Sequence, residues 1–157
     1  MYKLDETDLK LLQLLQQNSQ MSIKKMGLEV GLSTTPVYER VKRLEQKGFI
    51  KNYTINIEKD KIGLKLTVFC QVSLLTHSKN YIETFEKEIA KMDEVVESFH
   101  ISGEFDYLLK VVCRDNQEYH DVLVHKLSKL EMVSKVQSNF VMAETKNQPP
   151  RLVVGSR

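Results

Sequence analysis

Near residue 64 the spacing of apolar residues changes, and this change constrains the fold more than any other feature of the chain. Upstream, Leu9, Leu12 and Leu15 share a stripe widened by Leu11, and Ile23, Met26 and Val30 form a second. Spacing of three and four residues buries one side of an α-helix. Downstream, Leu66, Val68, Cys70, Val72 and Leu74 alternate with Thr67, Phe69, Gln71 and Ser73. That period belongs to a strand with one buried face. A helical segment followed by a β-rich one, within 157 residues, predicts two small domains with the boundary inside Glu58–Gly63.

The upstream part reads as three helices. Asp5 is a good N-cap, Asp8 lies three positions on, and Leu4 and Leu9 can staple the start. The first helix ends at Asn18-Ser19. Ser22 caps a second helix that stops at Gly31. Ser33 caps a third, running through Glu45 to a stop at Gly48, and Pro36 is tolerated in its first turn because an amide there has no intrahelical acceptor. Phe49 to Ile57 reads as extended, a two-stranded wing.

In the downstream part, Ile82, Phe85, Ile89 and Met92 make a helical stripe. Val95–Ser102 and Tyr107–Cys113 are strand-like, separated by Gly103-Glu104-Phe105-Asp106. Tyr119, Val122, Leu123, Leu127 and Leu130 form a second helical stripe, and Val133–Met142 a last strand. The order β-α-β-β-α-β fits the ferredoxin-like arrangement, an antiparallel sheet with two helices on one face. The fold class is therefore α+β: a winged helix-turn-helix with its linker over residues 1–60, then a ferredoxin-like domain over 61–157. The tail from Thr145, with Pro149-Pro150, reads as poorly constrained.

Composition excludes several classes. Hydrophobic residues at 41% and charged residues at 28% match ordinary globular usage. Apolar runs are too short for a membrane span, and the polar start Met-Tyr-Lys-Leu-Asp-Glu-Thr-Asp predicts no secretory signal, so a cytoplasmic protein is expected. Cys70 and Cys113 fall on the apolar side of their strands and read as small buried hydrophobes. Net charge is only +2, but Arg40, Lys42, Arg43, Lys47 and Lys51 face only Glu39 and Glu45 within residues 34–53. That concentration is compatible with a phosphate-contacting element, and equally with a solvated helix face.

Two helices joined by Gly31-Leu32-Ser33 match a helix-turn-helix, whose second helix enters the DNA major groove. Projection at about 100° per residue puts Val37, Val41 and Leu44 on the core side. The opposite side carries Thr35, Glu39, Lys42 and Gln46, flanked by Tyr38 and Arg43, groups able to read base edges or hold phosphates. Ser33, Thr34 and Pro36 occupy the N-terminal end, where hydroxyls and free amides suit a phosphate. Lys47 extends the set from the helix end. Arg40 lies on the shoulder and is equally able to pair with an acidic side chain of the domain.

Leu4-Asp5-x-x-Asp8-x-x-Leu11-Leu12, Gly31-Leu32-Ser33 and Val37-x-x-Arg40-Val41-Lys42-Arg43-Leu44-Glu45-x-x-Gly48-x-Ile50 resemble the leucine-responsive/asparagine-regulator (Lrp/AsnC) family of transcriptional regulators. So does Ser102-Gly103-Glu104-Phe105-Asp106-Tyr107, which is similar to that family's Gly-x-x-Asp loop. The resemblance covers nearly the whole chain in order and spacing. It implies a DNA-binding domain joined to an amino-acid-sensing ferredoxin-like domain of the RAM type. It also implies a homo-oligomer, a dimer formed through the sheets that assembles further into tetramers or octamers, with the effector bound between dimers.

From the residues alone, Gly103 allows close backbone approach, and Asp106 can counter an ammonium or fix its loop; a four-residue turn needs neither role. Under the resemblance, Ser102, Gly103, Glu104, Phe105, Asp106 and Tyr107 become the effector-site candidates. His100, on the polar face of the preceding strand with Ser98, joins them. No cofactor is expected beyond the amino-acid effector. His77, His100, His120 and His125 form no metal-ligand pattern, and no phosphate loop, nucleophile elbow or Cys-x-x-Cys is present, so an enzyme is not expected. The competing reading is an amino-acid-sensing or protein-interaction module that binds no DNA.

Overall fold

The computed structural model describes residues 2–150 and Leu152. The chain divides into two units, one of residues 2–56 with the described tail from Lys146, the other Ile57–Thr145.

In the first unit, α1 (Glu6–Gln17) starts on a reciprocal capping box between Asp5 and Asp8. The second helix, α2 (Ile23–Val30), is capped by Ser22 and ends on Gly31 in the left-handed region at φ 68°. The third, α3 (Thr34–Gln46), begins at Ser33, but the Ser33 hydroxyl makes no capping hydrogen bond. Leu11, Leu14, Met26, Val37 and Val41 form the buried core of this three-helix unit.

Residues 51–58 carry no strand, so the expected two-stranded wing is not formed. The segment has few inward apolar groups to pair: Tyr53, Ile55 and Ile57 are all exposed. It is tethered instead by Tyr53, whose hydroxyl donates to Glu45 at 2.7 Å. The tail also departs from expectation. Gln13 and Gln16 of α1 donate side-chain amides to the Leu152 and Pro150 carbonyls, each at 3.2 Å. It thus packs with the first unit, not the second.

The second unit holds β1 (Leu66–Leu74), α4 (Lys79–Ile89), β2 (Val95–His100), β3 (Tyr107–Cys113), α5 (Asn116–Asp121) and β4 (Val133–Phe140). The sheet order is β2-β3-β1-β4, antiparallel throughout, as a ferredoxin-like chain requires. Val68, Cys70, Val72 and Leu74 of β1 and Tyr107, Leu109, Val111 and Cys113 of β3 pack under Phe85 and Ile89 of α4 and Tyr119 and Val122 of α5. Both helices therefore cover one face. The other face presents Phe69, Leu108 and Phe99 among Gln71, Lys110, Glu97 and Lys135.

The strands β2 and β4 each stop two residues before the expected ends. The fifth helix also differs from a simple α-stripe. Beyond α5 the chain makes a π-turn over Val122–Lys126 and a 3-10 turn over Leu127–Lys129. Val122 and Leu127 are both buried but five residues apart, a spacing an i→i+5 turn serves and an α-turn does not. The same turn brings Lys126 to Glu94, at 2.6 Å.

Candidate DNA-recognition helix and effector loop

On α3, Val37, Val41 and Leu44 are buried and turn that side of the helix to the core. Thr35, Tyr38, Glu39, Lys42 and Gln46 are then exposed on the opposite side. Lys42 Nζ lies 5.9 Å from the Tyr38 ring centroid, so an aromatic and a cation share one patch. Ser33, Thr34 and Lys47 are exposed at the two ends, and Pro36 is half-buried in the first turn. With the Ser33 hydroxyl uncommitted, the first amides of this helix keep the open donors that favour an anion.

Arg43, expected beside these residues, is turned towards α1. Its Nη2 lies 3.9 Å from Asp8 Oδ1, and its Cζ sits 4.8 Å from the Tyr2 ring centroid. Its Nε is buried without a hydrogen-bond partner among the described residues. Arg40 has settled the alternatives left open by its shoulder position. A single nitrogen, Nη1, donates to Asp5 Oδ2 at 2.6 Å and to Asp8 Oδ1 at 2.7 Å. Asp8 is fully buried, and it also accepts from the Tyr2 hydroxyl and the Asp5 amide. Burial works to raise the Asp5 pKa, but the Asp8 amide and the Arg40 guanidinium outweigh it and hold Asp5 below the usual carboxylate range.

The sequence pattern marked Asp8 as a capping residue and missed it as the anion that ties α1 to α3. The readable signal was an Asp inside an apolar stripe, since a carboxylate is rarely buried without a partner. Gly27 was also missed. A Cβ there would meet the Leu32 carbonyl oxygen at 2.5 Å, so the turn between α2 and α3 closes directly on this residue.

In the second unit, the loop between β2 and β3 divides its residues into two groups. Phe105 and Tyr107 are buried and belong to the packing. Asp106 holds the loop to β1, accepting the Leu74 amide at 2.7 Å while its own amide donates to the Val72 carbonyl at 2.9 Å. Ser102, Gly103 and Glu104 are exposed at the tip, and Gly103 adopts φ 136°, where L side chains are strained. Glu104 pairs with Lys135 at 2.9 Å, and Lys135 lies 4.7 Å from the Phe105 ring centroid.

Ser98 and His100 line a groove of about 280 Å³ between β2 and α4, together with Glu86, Ala90, Val96 and Tyr107. The His100 ring stacks on Tyr107 at 4.7 Å and 14°. The Tyr107 hydroxyl donates to Glu86 at 2.9 Å, and burial, then that carboxylate, push the phenol pKa up.

Known proteins match both units. An AsnC-type helix-turn-helix domain model matches residues 4–45, and an Lrp/AsnC ligand binding domain model matches residues 67–151. The leucine-responsive regulatory protein of Escherichia coli strain K12 is 36% identical over 154 residues, 98% of this chain and 93% of the relative. A transcriptional regulator of Neisseria meningitidis, solved as a complex with L-Met, superposes with TM-score 0.89 at 32% identity, covering 93% of this chain and 94% of the other. An AsnC family transcriptional regulator of Agrobacterium tumefaciens gives TM-score 0.89 at 32% identity over 95% and 97%. Both domain models thus match in order along one chain that is similar to these regulators over nearly its whole length, and the chain belongs to the Lrp/AsnC family of transcriptional regulators.

Proposed function

We propose that this protein is a sequence-specific DNA-binding transcriptional regulator whose assembly or DNA affinity responds to a small amino acid. One observation carries the reading: α3 is pinned by Val37, Val41 and Leu44 with Thr35, Tyr38, Glu39 and Lys42 left exposed on the far side. An exposed helix face of this composition, behind a tight glycine turn, is suited to a major groove. Ser33, Thr34, Pro36, Lys42 and Lys47 are assigned to backbone contacts, and Thr35 and Tyr38 to base edges. The match of both domains to an Lrp/AsnC regulator supports the same reading, as does the L-Met bound by the Neisseria relative.

The effector is assigned to the loop Ser102–Tyr107 with His100. Of these, Ser102, Gly103 and Glu104 have exposed positions from which to touch it, while Phe105, Asp106 and Tyr107 shape the loop. The protein acts as at least a dimer in the cytoplasm. Phe69, Phe99 and Leu108 on the uncovered sheet face support self-association, because a partner copy would remove them from water. Its relatives are regulators, and the role that follows is regulation rather than catalysis.

Selection of duplex sites from a random pool, with and without each free amino acid, tests this reading. Enrichment of one sequence class, shifted by at least one amino acid, is the expected result. A chain that enriches no sequence is the sensing module without DNA binding.

A further inference from the structure

We propose that Arg40, clamped by buried Asp8, is the positioning residue that sets the roll of α3 against DNA, and that it does so without touching DNA itself. The proposal rests on the DNA-binding reading above. Its basis is a continuous polar network across the first unit. Asp5 and Asp8 stand at the start of α1, Arg40 and Arg43 stand one turn apart on α3, and Tyr2 closes the network from outside.

Three features separate this network from an ordinary surface ion pair. Asp8 is fully buried, so its charge is compensated by Arg40 and not by water. Arg40 bonds both carboxylates from one nitrogen, at 2.6 and 2.7 Å, which fixes its position in two directions. Arg43, three residues on, is held by the same carboxylate and by the Tyr2 ring, with its Nε buried and unpartnered among the described residues. Hydrophobic packing through Val37, Val41 and Leu44 keeps α3 on the core, but it is non-directional and by itself sets the roll only coarsely. Directional bonds from Arg40 to α1 restrict that roll. Since Thr35, Tyr38, Glu39 and Lys42 lie on the far side of the helix, their position in a groove follows from it.

The test compares the full-length wild type with Arg40→Met, Arg40→Lys and Asp8→Asn, using a selected duplex and a scrambled duplex of equal length over a range of salt. For Arg40→Met, preference for the selected duplex should fall at least about tenfold, with the salt slope unchanged because the phosphate ligands all remain. Asp8→Asn should fall in the same direction. Arg40→Lys should retain most of the preference, since an ammonium can replace the single nitrogen that makes both bonds. Helical circular dichroism at the assay temperature confirms that the compared proteins are folded; if Arg40→Met is not, Asp8→Asn and Arg40→Lys carry the comparison.

Unchanged preference in folded variants overturns the proposal while leaving DNA binding intact. A salt slope lowered by about one unit in Arg40→Met also overturns it, because Arg40 would then be a phosphate ligand. A wild type with no preference for any duplex overturns the DNA-binding reading, and this proposal with it.

Discussion

His77 Nε2 lies 2.7 Å from Asp106 Oδ1, so the loop aspartate is bridged to the segment that follows β1. Its second oxygen takes the Leu74 amide at the same distance. Asp106 is thus engaged in holding the loop. Replacing it with Ala leaves that amide without its acceptor and should cost about 1–3 kcal/mol. His77 is 72% exposed, so His77→Ala should cost no more than about 1 kcal/mol. Urea unfolding of both variants checks the order, and equal losses would contradict it.

Gly103→Val should abolish the response to an amino acid while leaving the protein folded. A Cβ there meets nothing within 4 Å, so the cost is in the backbone at φ 136°, about 1–3 kcal/mol. Calorimetry against the amino acid found in the selection, with circular dichroism as control, separates the two effects. Retained binding in the folded variant would remove the loop tip from the site.

Gly27→Ala should destabilise the first unit, although Ala is ordinarily the better helix former. The added methyl would stand 2.5 Å from the Leu32 carbonyl oxygen, which is backbone and cannot rotate away. A loss of about 1–3 kcal/mol is expected from the displaced turn. Thermal unfolding of the full chain should show an earlier helical transition, and an unchanged one would mean the turn yields without strain.

Lys42→Ala should weaken binding to all duplexes alike and lower the salt slope by about one unit. Thr35→Ala and Tyr38→Ala should instead relax preference at particular base positions, each base-edge interaction removed costing about 1–3 kcal/mol of discrimination. Repeating the site selection with each variant distinguishes these outcomes. Unchanged profiles for Thr35→Ala and Tyr38→Ala would mean that another face of α3 meets the DNA.

Acid should weaken the second unit through Glu94. Burial works to raise its pKa, but Lys126, bonding both its oxygens at 2.6 and 2.8 Å, holds it below the usual value of 4.5. A carboxylate depressed in the folded state contributes its stability above its unfolded pKa and loses it as pH falls through the folded one. Glu94→Gln should therefore lower stability at pH 7 and converge on the wild type well below pH 4.5. A constant difference across that range would show that charge is not the cause.

Local signals carried most of the elements. Asp5 with Asp8, Ser22 with Gly31, and the alternation from Leu66 to Leu74 each act within a few residues, so the sequence displays them directly. The wing failed for the converse reason. Its residues favour an extended chain, but a strand pair also needs a partner edge, and Tyr53 bonds to Glu45 instead. The π-turn was invisible because only the burial of both Val122 and Leu127 against the sheet demands it.

The candidate sites divide in the same way. By itself the sequence determined which residues stand opposite the core on α3, because helical period and the apolar positions Val37, Val41 and Leu44 leave no other choice. It also placed a glycine and an aspartate in one tight loop. Only the tertiary structure decided that Arg40 and Arg43 turn to α1, that Asp8 is the buried anion between them, and that Asp106 holds its own loop. Charged side chains are long and can reach several partners. Which partner they take depends on the distance between elements and on the water that packing removes, and neither is encoded in local spacing.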